Sequence, residues 1–141
     1  MARNQIPRFT NALKNYAIDI TANATDVNLF TGGTGGSRLS MLSITTDNSA
    51  AMTVDLKMVN TASTTFTIGQ IAVAAGAGTT SNAAEDGLNA TDLPFVNVDA
   101  HGNTFIDVME GWKIAGMATT LSTGDSRVVT LGAVVNELEA D

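Results

Sequence analysis

Apolar and polar side chains alternate at every step of Met52-Thr53-Val54-Asp55-Leu56-Lys57-Met58. A period of two places the four apolar residues on one face of an extended strand and the polar residues on the other. This stretch therefore predicts a β-strand with one buried face. The same alternation recurs in six further segments: Tyr16 to Thr21, Val27 to Leu29, Phe66 to Val73, Val96 to Asp99, Trp112 to Ile114 and Val128 to Leu131.

Turn signals separate these strands. A glycine-rich stretch at 31–37 is incompatible with regular structure, and Asp47-Asn48-Ser49 and residues 99–103 predict hairpin turns. The apolar pattern changes parity at Gly69, which predicts a β-bulge. Strands that recur every 8–12 residues, roughly, are typical of antiparallel sandwiches. We therefore expect an all-β fold, an antiparallel β-sandwich of jelly-roll type.

Residues 75–94 interrupt this rhythm and form a long link with little strand character. Asn82-Ala83-Ala84-Glu85 has the spacing of a capping box, and Gly87 follows as a stop signal. This spacing predicts a short helix within the loop. Leu88 and Leu93 are expected to anchor the loop to the core.

Charge is unevenly distributed along the chain. Residues 1–14 contain three basic and no acidic residues, whereas the last six residues contain three acidic and no basic residues. We predict an extended N-terminal arm at 1–13, one sandwich domain at 14–136 and an acidic C-terminal tail at 137–141. The basic arm suits an acidic surface on a neighbouring copy or on another protein, and two merely solvated termini are the alternative.

Composition excludes several classes of function. The chain has no cysteine and one histidine, so disulfides, thiolate metal sites and His-rich zinc sites are ruled out. A net charge of −7 argues against nucleic-acid binding, which depends on basic groups. We find neither a secretory signal nor an apolar run long enough to cross a membrane, so we expect a soluble protein made in the cytoplasm.

No motif assembles a catalytic or cofactor site. The stretch around Gly35 lacks the lysine of a phosphate loop, and residues 76–81 lack the third glycine of a dinucleotide fingerprint. Asp99, His101 and Asn103 could grip a metal ion, but the same residue types build a turn, and we favour the turn. The sequence predicts no enzyme, no cofactor, no metal site and no small-molecule substrate.

The order of loops and strands resembles the small head proteins of tailed bacteriophages, in particular capsid decoration or cement proteins. The resemblance covers about residues 17–135 and is carried by glycine-rich loops and turns, namely Gly36-Ser37-Arg38, the strands Leu39–Thr45 and Met52–Asn60, residues 74–78, Leu88-Asn89, Leu93-Pro94, residues 99–103 and Glu110-Gly111-Trp112.

This resemblance implies a virion structural protein that sits on the capsid exterior, stabilises the lattice and carries no catalytic residues. The major capsid protein would be its partner, and the protein would be a homo-oligomer, either a dimer or a trimer. The residues expected at capsid or subunit interfaces are Arg3, Ile6, Pro7, Arg8, Phe9, Arg38 and Trp112.

Within this set, Ile6, Pro7 and Phe9 would serve as apolar anchors, and the two arginines of the arm would pair with carboxylates. A different class of function stays open at this point. A β-sandwich of this kind could instead recognise carbohydrate or a host surface through polar loop tips and Trp112.

Overall fold

The computed structural model describes residues 10–121 and 127–140. Within these ranges the backbone forms ten strands and no helix, which confirms the all-β prediction. The strands are β1 (Thr10–Ile20), β2 (Val27–Thr31), β3 (Ser37–Thr46), β4 (Met52–Val59), β5 (Thr65–Val73), β6 (Glu85–Asp86), β7 (Asn97–Val98), β8 (Thr104–Val108), β9 (Lys113–Thr119) and β10 (Val129–Leu138).

The strands form two antiparallel sheets that face each other as a sandwich. The larger sheet has six strands in the order β1-β10-β3-β8-β7, with β6 added to β3, and the smaller has the order β2-β9-β4-β5. Their inner faces enclose a single aliphatic core. Burial alternates along the strands, as in β3 and β10, so the period of two in the sequence corresponds to the inner and outer faces.

The chain passes from one sheet to the other at most connections. Among strands that follow each other in sequence, only β4–β5 and β7–β8 pair directly in the described residues. The turn at 99–103 is thus a hairpin turn, as predicted. The hairpin predicted at Asp47-Asn48-Ser49 is wrong, because β3 and β4 lie in different sheets and this segment joins them. Asn48 is buried in the connection, where its side chain donates to the Ala50 carbonyl at 2.9 Å.

The bulge predicted at Gly69 is confirmed. Leu56 pairs with Gly69 and Lys57 pairs with Thr67, so Ile68 is the extra residue of β5. Glycine is required here for a second reason: a Cβ at position 69 would overlap the side chain of Leu93, which lies against the strand.

The helix predicted at 82–85 is absent. The Asn82 side chain donates to the Ala75 carbonyl at 2.7 Å instead of capping a helix, and the Asn82 carbonyl accepts the Gly78 amide. Glu85 and Asp86 form β6 on the edge of β3. The local capping signal is therefore overridden by pairing with a distant strand, a contact that no local pattern encodes.

The long link instead covers one narrow side of the sandwich. Leu88 and Leu93 are fully buried, as expected for anchors. Asp92 accepts the Ala72 amide of β5 through Oδ2 at 3.3 Å, and the Gly87 amide donates to the Leu42 carbonyl of β3 at 2.8 Å. The link thus binds an edge of each sheet.

Both predicted domain boundaries lie within strands of the structure. Strand β1 begins at Thr10, so residues 10–13 of the predicted arm belong to the sheet, and β10 runs to Leu138 within the predicted tail. Lys14 and Glu137 join these two strand ends by an ion pair at 2.9 Å. Among the described residues, no helix is long and apolar enough to cross a membrane.

The different burial of two leucines predicts a large loss of stability for one alanine substitution and a small loss for the other. We expect Leu93→Ala, which empties a fully buried site in the link, to lower the free energy of unfolding by about 2–5 kcal/mol. Leu13→Ala in β1 should change it by less than about 0.5 kcal/mol, because that side chain is 66% exposed. Denaturant unfolding of both variants measures the difference. Equal costs would show that the link does not anchor the fold.

Candidate interaction surface

Of the residues predicted at interfaces, Arg38 and Trp112 can be located in the structure. Arg3, Ile6, Pro7, Arg8 and Phe9 lie outside the described residues.

Arg38 lies on the outer face of β3 and is held by β8. Its Nε donates to Asp107 Oδ1 at 2.8 Å and its Nη2 to Asp107 Oδ2 at 3.0 Å, a bidentate geometry. Its guanidinium carbon sits 3.9 Å from the centroid of the Phe105 ring. The hydrogen bond to Asp107 raises the pKa of Arg38 above its usual value. The charge of Arg38 is thus already partnered within the molecule, and the stack fixes Phe105 in place.

Trp112 lies at the turn before β9, partly buried against the core. Its backbone links two loops, since its amide donates to the Met109 carbonyl at 3.1 Å and its carbonyl accepts the Gly32 amide at 2.7 Å. A Cβ at Gly32 would overlap the Met109 carbonyl, so this contact needs glycine. The structure therefore places Trp112 in a loop-bracing position, and it does not bring Trp112 together with Arg38.

The segment from Asp99 to Asn103 is a hydrogen-bonded turn. Asp99 Oδ1 accepts the amides of His101 at 2.8 Å and Asn103 at 2.9 Å. The Asp99 amide donates to the Asn103 carbonyl at 2.9 Å, which closes the hairpin. In the described part of the chain, no three His, Cys, Asp or Glu side chains are grouped as metal ligands would be.

The outer face of the six-stranded sheet has a central area without charge, which we call the neutral face. One row across the strands runs from Ala17 through Gly132 to Ser43. The neutral face comprises Asn15, Ala17, Met41, Ser43, Thr45, Thr130, Gly132 and Val134. Charge appears only at its margins, with Asp19 at one end, the Arg38–Asp107 pair at the other and Asp86 next to Ser43 along the β6 side.

The outer face of the four-stranded sheet differs in charge. It carries Lys57 and Lys113, and also Asp55, whose Oδ1 is buried without a hydrogen-bond partner. Lys57 forms an ion pair with Asp26 at 2.8 Å. The two broad surfaces of the sandwich are therefore chemically distinct, one neutral and one charged.

A groove borders the neutral face along β3. Strand β8 pairs with Ser37–Leu39 and β6 pairs with residues 43–44, so the middle of β3 has no strand partner on that side. The opening between β6 and β8, which we call the β3 groove, has a volume of about 760 Å³. Met41 and Phe105 supply apolar surface there, and the charged lining residues are Arg38, Glu85, Asp86 and Asp99.

The acidic side chains of the groove form no ion pair in the described ranges. Asp86 accepts the Leu88 amide at 2.9 Å, and Asp99 accepts the turn amides, but neither residue nor Glu85 forms an ion pair there. Three acids face one arginine, and that arginine already binds Asp107. The groove therefore combines excess negative charge with apolar surface, which suits a basic, partly apolar chain segment.

Sequence reasoning did not find this groove. Met41, Asp86 and Phe105 lie in three separate segments that come together only through the pairing of β3 with β6 and β8. No spacing or motif in the chain signals that juxtaposition. No protein-family model matches the chain, and no curated protein matches it.

Asp99 should titrate below the usual range. The hydrogen bond from the Asn103 backbone amide is the largest effect and lowers the pKa of Asp99 below 3.8. Desolvation opposes it, and the His101 amide lowers the pKa further. This stabilisation of the turn is present above the usual aspartate pKa and is lost as the pH falls through the lowered one. Two-dimensional NMR should show an acid transition at the His101 and Asn103 amides whose midpoint lies below that of an ordinary aspartate.

Asp99→Asn provides the matched control, since the amide oxygen can still accept both hydrogen bonds but no longer titrates. In that variant the acid response of the two amides should disappear. An Asp99 pKa at or above the usual value would contradict the prediction.

Proposed function

We propose that this chain is a structural protein of a tailed-phage virion, which binds the outside of the capsid lattice and stabilises it as decoration (cement) proteins do. The neutral face is the observation that supports this proposal most directly. The resemblance of the loop and strand order to small phage head proteins supplies the type of partner, the major capsid protein.

Charge explains why the neutral face suits docking. Removing an unpaired charge from water costs several kcal/mol, and the centres of protein interfaces are accordingly depleted of charged residues. The neutral face buries no charge when it is covered. Its small residues Ala17 and Gly132 also allow another surface to approach the backbone of the sheet closely.

In this proposal the chain acts by contact alone, without catalysis or a cofactor. We infer that it works as a dimer or trimer on the capsid exterior. Many copies on a repeating lattice make individually modest contacts strong together. Two packed antiparallel sheets give a stiff body for such a role, and a jelly-roll-like wrapping of their strands is part of the proposal.

Placing a charge at the centre of the neutral face tests the proposal. A side chain at position 132 is unstrained and meets no atom within 4 Å, so Gly132→Lys should leave the fold intact. We expect it to weaken binding to empty heads at least tenfold, or about 1.4 kcal/mol, because the lysine would be buried unpaired. Co-sedimentation with empty heads assembled from a tailed-phage major capsid protein measures the effect.

Thr67→Lys on the outer face of the four-stranded sheet is the matched control, and it should bind heads within about twofold of the unmodified chain. Thermal unfolding of both variants verifies that the sandwich is retained. Undiminished binding by Gly132→Lys would exclude the neutral face as the docking surface.

The role of the arm in head binding can be tested by a deletion that leaves β1 complete. Because β1 begins at Thr10, removal of residues 1–9 leaves all of its pairs with β10. We expect this deletion to reduce head binding strongly while the far-ultraviolet circular dichroism stays unchanged. Full binding after the deletion would refute a role for the arm.

A further inference from the structure

We propose that residues 1–9 of one copy of this chain dock into the β3 groove of a neighbouring copy. The inference extends the proposed function by naming the surface that receives the arm. Its test needs no capsid, so its failure and the failure of the proposed function can be told apart.

The shape of the groove suits an extended segment. On the side of β3 away from β10, β8 leaves the strand after Leu39 and β6 joins it at Ser43. The space between them lies over the middle of β3, where Met41 is 59% exposed. An exposed methionine on the floor of a groove gives an apolar side chain an adaptable surface to pack against.

The chemistry of the groove matches that of the arm. Residues 1–9 contain Arg3 and Arg8, no acidic residue, and the apolar side chains of Ile6 and Phe9. The groove offers three carboxylates that form no ion pair within the described residues, and the apolar side chains of Met41 and Phe105. Arginine pairs well with carboxylates, and no nine-residue segment that begins after Arg8 contains two basic residues and no acid.

The position of β1 favours a neighbouring copy as the acceptor. Thr10 pairs with Leu138, at the end of the sheet where β3 begins. Two strand spacings, about 10 Å, separate β1 from β3, and nine extended residues reach about 30 Å, so length is sufficient. Followed backward from Thr10, however, the strand direction leads off the end of the sheet and away from Asp86. A segment continuing in that direction meets another molecule without reversing.

Such a contact is heterologous, because the arm of one copy meets a different surface on the next. If the rotation that relates one copy to the next returns to the first copy after a few steps, the contact generates a closed ring. The contact would therefore account for a closed oligomer such as a trimer with the same arm and groove in every copy.

Cysteine cross-linking tests this directly, since the chain has no cysteine of its own. Two differently tagged chains are mixed under mild oxidation, one carrying Ile6→Cys and the other Met41→Cys. We expect a disulfide-linked heterodimer to form at least tenfold faster than with Thr67→Cys as the partner, because Thr67 lies exposed on the other sheet. A rate no greater than that of the Thr67 control would overturn the proposal.

A double variant with both Ile6→Cys and Met41→Cys separates the two possible acceptors. Cross-linked oligomers support docking on a neighbour, whereas an exclusively intramolecular disulfide, with no heterodimer in the mixing experiment, overturns it.

Charge reversal adds a second readout. Glu85→Lys in the acceptor chain should slow cross-linking several-fold, and Arg8→Glu in the arm should restore the rate. Cross-linking that is indifferent to both changes would show that the groove's charge does not recognise the arm.

Discussion

The close approach of the two sheets at Gly116 is the contact on which the rest of the structure depends. A Cβ at this position would lie 2.6 Å from Leu131 Cδ1 and 3.4 Å from Ile20 Cδ1. Glycine in β9 thus lets two large side chains of the opposite sheet fill the centre of the sandwich. Tight packing of this kind holds the sheets in one relative position. The outer faces and the loops then have fixed places relative to each other.

The two narrow sides of the sandwich are closed in different ways. On one side the long link binds β3 and β5, buries Leu88 and Leu93, and covers part of each strand edge. On the other side β1 and β2 lie next to each other without pairing, and the Tyr16 and Phe30 rings stack between them at a centroid distance of 5.6 Å. Because the link pairs with β3 only through β6, it covers that edge incompletely and leaves the β3 groove.

Local pattern predicted the strands well and their partners poorly. Alternation around Val54 gave β4, and the parity change at Gly69 gave the bulge, because both features are encoded within a few residues. The capping box at Asn82 predicted a helix that does not form, since its helical preference is small compared with the contacts that β6 makes on β3. The groove depends on which strands meet across more than forty residues of chain, and periodicity carries no such information.

Charge separation within the chain links the neutral face to the arm. Beyond residue 14 the chain carries four basic and 14 acidic residues, a net of −10, so copies that pack closely together repel one another. Close packing then needs a surface that adds no repulsion and a contact of opposite sign. The neutral face meets the first requirement, because its charges lie only at the margins. In the contact we propose, a basic arm seated among Glu85, Asp86 and Asp99 would meet the second, because it sets opposite charges of two copies against each other.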